Sequence, residues 1–324
     1  MRRFKEPLIA VLLGVVFPAM MFTLLIKNDT PEVSGAVDTT ASTQQTAPPV
    51  QTVNIEIPVL MDDGYVEVME LDKYIIGVVL EEMPASFESE ALMAQAVVAR
   101  TYTLRRNGGY KHDNAAVCTD YACCQGYCSE ETYLENGGSD SAVQKVKDAV
   151  LATKDQVIVF NGELIEATYF SCSGGMTEDA QAVWGEDIPY LQAVESPGEE
   201  AAAHYTDTVR FTADEFSAAL GQNLGGQPGT WIKQISYTHG GGVDTILIGD
   251  KEYTGVEIRQ RLGLRSTAFV MTAVGSSITV TTKGFGHRVG MSQYGADAMA
   301  LNGNKYTDIL QHYYPGTELR TWQQ

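Results

Sequence analysis

Three segments of the sequence gather side chains that could do chemistry, and a fourth gathers metal ligands. The first is Gly77-Val78-Val79-Leu80-Glu81-Glu82-Met83-Pro84, two carboxylates standing just before a proline that cannot continue a helix. The second is Tyr169-Phe170-Ser171-Cys172-Ser173-Gly174-Gly175-Met176-Thr177-Glu178, rich in hydroxyls and in glycines that expose backbone amides. The third, Gly284-Phe285-Gly286-His287-Arg288-Val289-Gly290-Met291-Ser292-Gln293-Tyr294-Gly295-Ala296, adds an imidazole, a carboxamide and a phenol to another glycine-rich run. Taken singly, each has an ordinary explanation: a carboxylate at a helix end is solvated, a Ser/Gly cluster makes a turn, and glycines punctuate loops. The third segment is no dinucleotide fingerprint, because it lies outside any βαβ pattern. Ser173 is no hydrolase nucleophile, because the Gly-x-Ser-x-Gly frame is missing.

Four of the five cysteines, Cys118, Cys123, Cys124 and Cys128, fall within eleven residues, and His112 precedes the first by six positions. Two readings compete. An exported protein favours disulfides, yet vicinal Cys123 and Cys124 pair poorly with each other, and so dense a cluster beside a histidine also reads as a metal loop. His204, His239 and His312 have no partner at ligand spacing and read as ordinary surface or core residues.

The elements that must position these groups follow a stretch, Pro7 to Ile26, that carries no charge and is long enough to cross a hydrocarbon core of about 30 Å as a helix. Arg2, Arg3 and Lys5 precede it, so the basic bias keeps the N-terminus in the cytoplasm and exports the rest. The stretch lacks the short core and small-residue cleavage site of a signal peptide, which favours an uncleaved anchor. Four of the 22 basic residues but one of the 41 acidic residues lie in residues 1–27, leaving 18 positive against 40 negative side chains beyond them, a formal −22. Such a body does not bind nucleic acid by counterion release, and a polymer it holds must be held by hydrogen bonds and shape.

Residues 28–51 are Thr, Ser, Gln, Pro and Ala with few large apolar side chains, a flexible tether. From residue 52 a hairpin is expected about the Asp62-Asp63-Gly64 turn, then a helix over 71–80, then one capped by Ser86 and ending at Asn107-Gly108-Gly109, with Arg100, Arg105 and Arg106 matching its dipole. Further helices are expected around 140–152, 212–220, 255–263, 291–302 and 305–313. Strands are expected around 156–160, 190–194, 205–211, 231–238, 243–248, 267–274 and 277–282. This is an α+β pattern, read as a single mixed helix/sheet domain over 52–324.

The three segments, in this order and together with Ile309-Leu310-Gln311-His312-Tyr313-Tyr314-Pro315-Gly316-Thr317, resemble the stage II sporulation protein D family of lytic transglycosylases. The resemblance runs through residues 71–106, 156–198 and 283–320. It implies that Glu82, the glutamate before Met-Pro, is the catalytic acid and base, while Glu81 points about 100° away on the same helix. To begin as an acid, Glu82 should have its pKa raised by burial or a nearby negative charge. The resemblance also places Ser171, Ser173, Gly174, Gly175 and Thr177, with His287, Ser292, Gln293 and Tyr294, at a glycan cleft, either lining it or bracing it. Two positions depart from the pattern. Arg288 stands where the family commonly has glycine, so a positive φ there costs about 1 kcal/mol, and Cys172 replaces a small hydroxyl residue, which would bring a thiol near the site.

Some members of the family hold zinc through a histidine and two cysteines spaced as His112, Cys118 and Cys124 are here, which tilts the loop toward a structural or site-shaping zinc, with Cys123 or Cys128 available as a further ligand. The resemblance further implies cleavage of peptidoglycan glycan strands stripped of stem peptides, during endospore engulfment, from the mother-cell membrane facing the forespore. Implied partners are a cell-wall amidase, stage II sporulation protein P, and a membrane scaffold, stage II sporulation protein M. Related domains are also amidase enhancers, so a non-enzymatic wall-binding module is the rival reading. A zinc hydrolase built on the cysteine loop is the third.

Overall fold

A computed structural model of the protein describes residues 54–323. β1 (Glu56–Leu60) and β2 (Val66–Glu70) form the expected hairpin, with Ile57 and Val59 wholly buried on one face. β2 passes directly into α1 (Leu71–Glu82), whose Tyr74, Ile75, Val78 and Val79 are completely buried, and α1 packs on α2 (Ser89–Asn107). Ser86 does not cap α2. The helix starts later, with Glu88 at the N-cap and the Glu88 amide donating to Asp297 Oδ1 at 2.7 Å. Arg100 also differs from expectation: it is fully buried and donates to the carbonyls of Val150 and Thr153 at 3.1 and 2.8 Å. It therefore serves the C-terminal end of another helix, α4 below, rather than its own.

The chain continues through β3 (Val117–Cys118), parallel to β1, then α3 (Glu130–Glu135), α4 (Asp140–Ala152), β4 (Gln156–Phe160), β5 (Glu163–Leu164), β6 (Tyr169–Phe170) and α5 (Ala180–Trp184). The strand expected around 190–194 is absent. There the Ala193 and Val194 amides donate to side-chain oxygens, Asp179 Oδ1 at 2.7 Å and Thr177 Oγ1 at 2.8 Å, so no ladder forms.

Residues 206–283 build a second hydrophobic core, of Phe216, Trp231, Ile246, Tyr253, Ile258, Ile278 and Val280 among others, inserted into the first. They comprise β7 (Thr206–Thr212), α6 (Ala213–Leu220), β8 (Ile232–Tyr237), β9 (Val243–Ile248), β10 (Lys251–Thr254), α7 (Gly255–Leu262), β11 (Phe269–Val274) and β12 (Ser277–Lys283). Sheets β10-β9-β8 and β11-β12-β7 are antiparallel throughout. Thr212 with Glu215 and Thr254 with Glu257 form capping boxes that start α6 and α7, and left-handed Gly221 and Gly263 stop them. The chain then returns to the first core as β13 (Met291–Ser292), α8 (Gln293–Leu301), α9 (Tyr306–Tyr313) and β14 (Glu318–Thr321), the last pairing antiparallel with β4.

The α+β class stands, with two cores inside the compact unit Thr52–Gln324. Among the described residues no helix is long and apolar enough to cross a membrane. The anchor and tether expected over residues 1–51 lie outside the described residues.

Candidate active site

Glu82 is the last residue of α1, because Met83 turns extended ahead of Pro84. Glu81 is exposed and Glu82 half-buried. The Glu82 Oε1 accepts from the Gly126 amide at 2.7 Å and Oε2 from Gln293 Nε2 at 3.3 Å. Burial pushes the Glu82 carboxyl above the usual carboxylate range, against the Gly126 and Gln293 donors. Burial and the Glu82 charge in turn push the Tyr169 phenol well up, so it stays protonated and donates, reaching Gln125 Oε1 at 3.3 Å. Glu82, Tyr169 and Gln293 line a cleft of about 1100 Å³.

The second and third sequence segments are laid side by side. β13 pairs in parallel with β6, setting Met291 opposite Tyr169 and Ser292 opposite Phe170, while Cys172 bridges to Phe285 and Glu178 to Val289. This ribbon carries Ser171, His287 and Gln293 into the cleft with Glu82. The other residues expected there stand behind it. Ser173 is fully buried, its amide and hydroxyl donating to Glu199 at 2.6 and 2.9 Å, and the Gly174 amide reaches the same carboxylate at 3.1 Å. The Gly175 amide donates to Ser173 Oγ at 3.0 Å, and the Thr177 amide to the Val194 carbonyl at 2.9 Å. Ser292 caps α8, and Tyr294 sits edge-on against Phe87 with centroids 4.9 Å apart. These six brace the wall and do not line it.

His287 has its Nδ1 accepting from the Val289 amide at 3.1 Å, which assigns the remaining proton to Nε2. Burial, then the charge of Arg259, push its pKa down to about 4, so it is neutral. Its ring lies 5.4 Å from that of Trp184, tilted 52° to it, and Trp184, 41% exposed, presents an aromatic face to the cleft. Arg288 does adopt positive φ, 68°, and is nonetheless fully engaged: its guanidinium donates to the carbonyls of Ser173, Met176 and Gly240 and pairs with Glu178. Cys172 is completely buried, and burial then Glu199 push its thiol up to about 11, so it offers the cleft no reactive sulfur.

The cysteine loop forms a cluster beside the same cleft. His112 Nε2 lies 3.3 Å from Cys124 Sγ and 3.8 Å from Cys123 Sγ, and the ligand atoms of His112, Cys118, Cys123 and Cys124 are all within 4.8 Å of one another. Tetrahedral zinc with bonds of about 2.0–2.3 Å separates its ligands by about 3.5–3.8 Å, so the donor set fits such an ion in both chemistry and spacing. Cys128 is apart, its Sγ turned to the Ser129 carbonyl at 3.5 Å. The loop rests directly on α1: a Cβ on Gly77 would stand 2.2 Å from the Tyr127 ring, and the Cys128 amide donates to the Gly77 carbonyl at 3.1 Å. It is this loop that delivers the Gly126 amide to Glu82.

A model of the stage II sporulation protein family matches residues 62–160, taking in Glu82 and the whole cysteine loop. The stage II sporulation protein D of Bacillus amyloliquefaciens is 37% identical over 331 residues, 97% of this chain and 96% of the relative. That of Bacillus subtilis (strain 168) is 41% identical over 259 residues, 78% of this chain and 75% of the relative. This chain belongs to the stage II sporulation protein D family. The family's name places it in sporulation, and a more distant relative, an amidase enhancer of Bacillus subtilis (strain 168), is 29% identical over 299 residues, 76% of this chain but 40% of that longer protein. Such a likeness is consistent with a role at the cell wall.

Four residues of this family member's site escaped the sequence reading. Tyr169 lay inside a quoted motif but carried no signal beyond being aromatic. Gly126 acts through its amide, which residue type does not announce. Trp184 and Arg259 come from α5 and from the inserted core, and only the tertiary fold brings them to Glu82.

Proposed function

We propose that this family member is a membrane-anchored lytic transglycosylase that cleaves peptidoglycan glycan strands, with Glu82 as its single acid and base. The observation that carries the reading is a carboxyl whose pKa is raised by burial, held in place by Gly126 and Gln293, in a cleft roomy enough for several sugar rings. Glu82 gives its proton to the glycosidic oxygen between N-acetylmuramic acid and N-acetylglucosamine, the muramyl C1–O bond breaks, and N-acetylglucosamine leaves as the alcohol. The Glu82 carboxylate then takes the proton of the muramyl C6 hydroxyl as that oxygen bonds to C1, which closes the 1,6-anhydro ring and restores the acid. No water is consumed, so the second carboxylate of a hydrolytic glycosidase is not required. Of the other acids at the cleft, Glu166 is tied to Arg105 and Arg106, and Glu186 is exposed. Trp184 beside His287 supports the reading as a surface for the C–H face of a sugar.

A zinc ion held by His112, Cys118, Cys123 and Cys124 would have its four positions filled, leaving none for a water nucleophile, and would supply rigidity to the loop that carries Gly126. Anchoring by residues 7–26 in the mother-cell membrane, action on amidase-stripped strands during engulfment, and partnership with stage II sporulation proteins P and M complete the proposal. The anchor is checked by fractionation: the full-length protein stays with membranes, and a soluble form beginning near residue 28 refutes it.

The activity is tested by digesting purified glycan strands and analysing the ends by mass spectrometry. Ends lighter by one water than ordinary reducing ends establish anhydro-ring formation. Ordinary reducing ends that vanish with chelator point to a zinc hydrolase. No new ends, together with acceleration of an added amidase, point to an enhancer, the reading that the 29% identical relative favours.

A further inference from the structure

Five arginines are half-buried or deeper among the described residues: Arg100, Arg106, Arg259, Arg265 and Arg288. Four have a carboxylate within ion-pair distance, namely Asp72, Glu166, Asp207 and Glu178 respectively. Arg259 has none. It stands in the last turn of α7, in the inserted core, and lines the cleft with Glu82, His287 and Trp184. Its Nε donates to the Leu264 carbonyl at 3.3 Å, which fixes the plane of the guanidinium and leaves both terminal nitrogens without a protein acceptor among the described residues. Its charge is felt at His287, which it helps keep neutral, and burial alone lowers its own pKa, with no neighbouring carboxylate to offset the cost. A desolvated cation held in one orientation, in a protein of net charge −19, is costly unless a ligand completes it. The ligand it lacks is a planar anion that accepts two parallel hydrogen bonds.

The geometry points to Arg259 as the specificity-determining residue that binds a carboxylate on the glycan itself, the lactyl carboxylate of a muramic acid whose stem peptide has been removed. This rests on the proposed glycan cleft and adds to it a reason for selectivity. While a stem peptide is attached, the same carboxyl is an amide, uncharged and unable to take the arginine's two bonds. The residue thus converts the prior hydrolysis of an amide bond into affinity at this cleft, and an enzyme of that reaction class must act first.

The test uses full-length protein carrying Glu82→Gln, so that strands bind without being cut, and calorimetric titration with three oligosaccharides of equal length. One bears free lactyl carboxylates, one has them converted to methylamides, and one retains its stem peptides. The free-carboxylate form should bind about ten-fold more tightly than the methylamide. Arg259→Gln in the same background should erase that ratio while leaving methylamide binding in place, and Arg259→Lys should restore only part of it, since an ammonium keeps the charge but not the fork. Equal affinity for the first two ligands, or a preference that survives Arg259→Gln, overturns the assignment and leaves the glycan cleft standing. Stem-peptide strands that bind as tightly as the free-carboxylate form and weaken with Arg259→Gln also overturn it, by showing that the arginine reads a peptide carboxylate. Failure of all three to bind removes the glycan cleft and this inference together.

Discussion

Glu81 and Glu82 are neighbours in the chain with opposite surroundings, one exposed and the other receiving the Gly126 and Gln293 hydrogen bonds. That contrast makes the acid/base assignment testable apart from the fold. Glu82→Gln keeps an acceptor for the Gly126 amide but has no proton to give, so release of anhydro ends should fall by about 10²–10⁴-fold, whereas Glu81→Ala should retain most activity in the same glycan digest. The raised Glu82 pKa also has a stability consequence of definite sign. A carboxyl whose folded pKa exceeds its unfolded value contributes stability that is fully present below the unfolded pKa and is lost as pH rises through the folded one. Glutamine does not titrate, so calorimetry should show Glu82→Gln gaining melting temperature relative to the parent on going from pH 4 to pH 7. A relative loss over that interval contradicts a raised Glu82 pKa.

At the scale of elements, what was legible in the sequence was what short-range rules specify. The span of α4, the helices α6 and α7 and the hairpin at Asp62-Asp63-Gly64 could all be placed because period and turn residue agree locally. The 190–194 strand was not, because Thr177 and Asp179 side chains take the bonds a ladder would have used. Glu82, His112, Cys118 and Cys124 were legible through a resemblance. Whether Cys123 or Cys128 would join the cluster was not, since that depends on a turn in which the Cys123 and Cys124 amides both donate to the Asp120 carbonyl, at 3.0 and 2.8 Å. This turn swings both vicinal sulfurs toward His112. Purified protein should therefore contain about one zinc per chain, and Cys118→Ser, Cys123→Ser and Cys124→Ser should each release it, with Cys128→Ser retaining it. Because the metal is expected to brace the loop and not to activate water, its loss should slow cleavage and speed hydrogen exchange at the Gly126 amide. Metal analysis finding no zinc, with Cys118 and Cys124 in disulfides, refutes the site.

The whole molecule depends on a junction between its two cores, and Arg288 is at its centre. Arg288 accepts a left-handed backbone, φ 68°, that costs a non-glycine residue about 1–2 kcal/mol. In return its side chain, 2% exposed, joins Ser173 and Met176 of the cleft wall to Gly240 of the inserted core, while Glu178, 1% exposed, accepts from Arg288 at 3.1 Å and from Thr238 Oγ1 and the Gly242 amide at 2.8 Å each. Glycine would suit the backbone and yet be the wrong residue here, because removing one member of a buried ion pair costs about 3–5 kcal/mol, more than the relief of strain returns. Arg288→Gly should therefore destabilise by a net ~1–4 kcal/mol, a fall in melting temperature of roughly 2–10 °C for a chain of this size. Glu178→Gln in the same chain removes the orphaned charge, so the double variant should be more stable than the sum of the two single changes. Loss of the pair should also loosen the two cores from each other before either unfolds, read as faster hydrogen exchange at the Gly242 amide with the Ile278 and Val280 amides of β12 still protected. An Arg288→Gly protein as stable as the parent, or one in which all these amides exchange together, shows that the junction is held by other contacts and that the arginine's four partners are incidental to it.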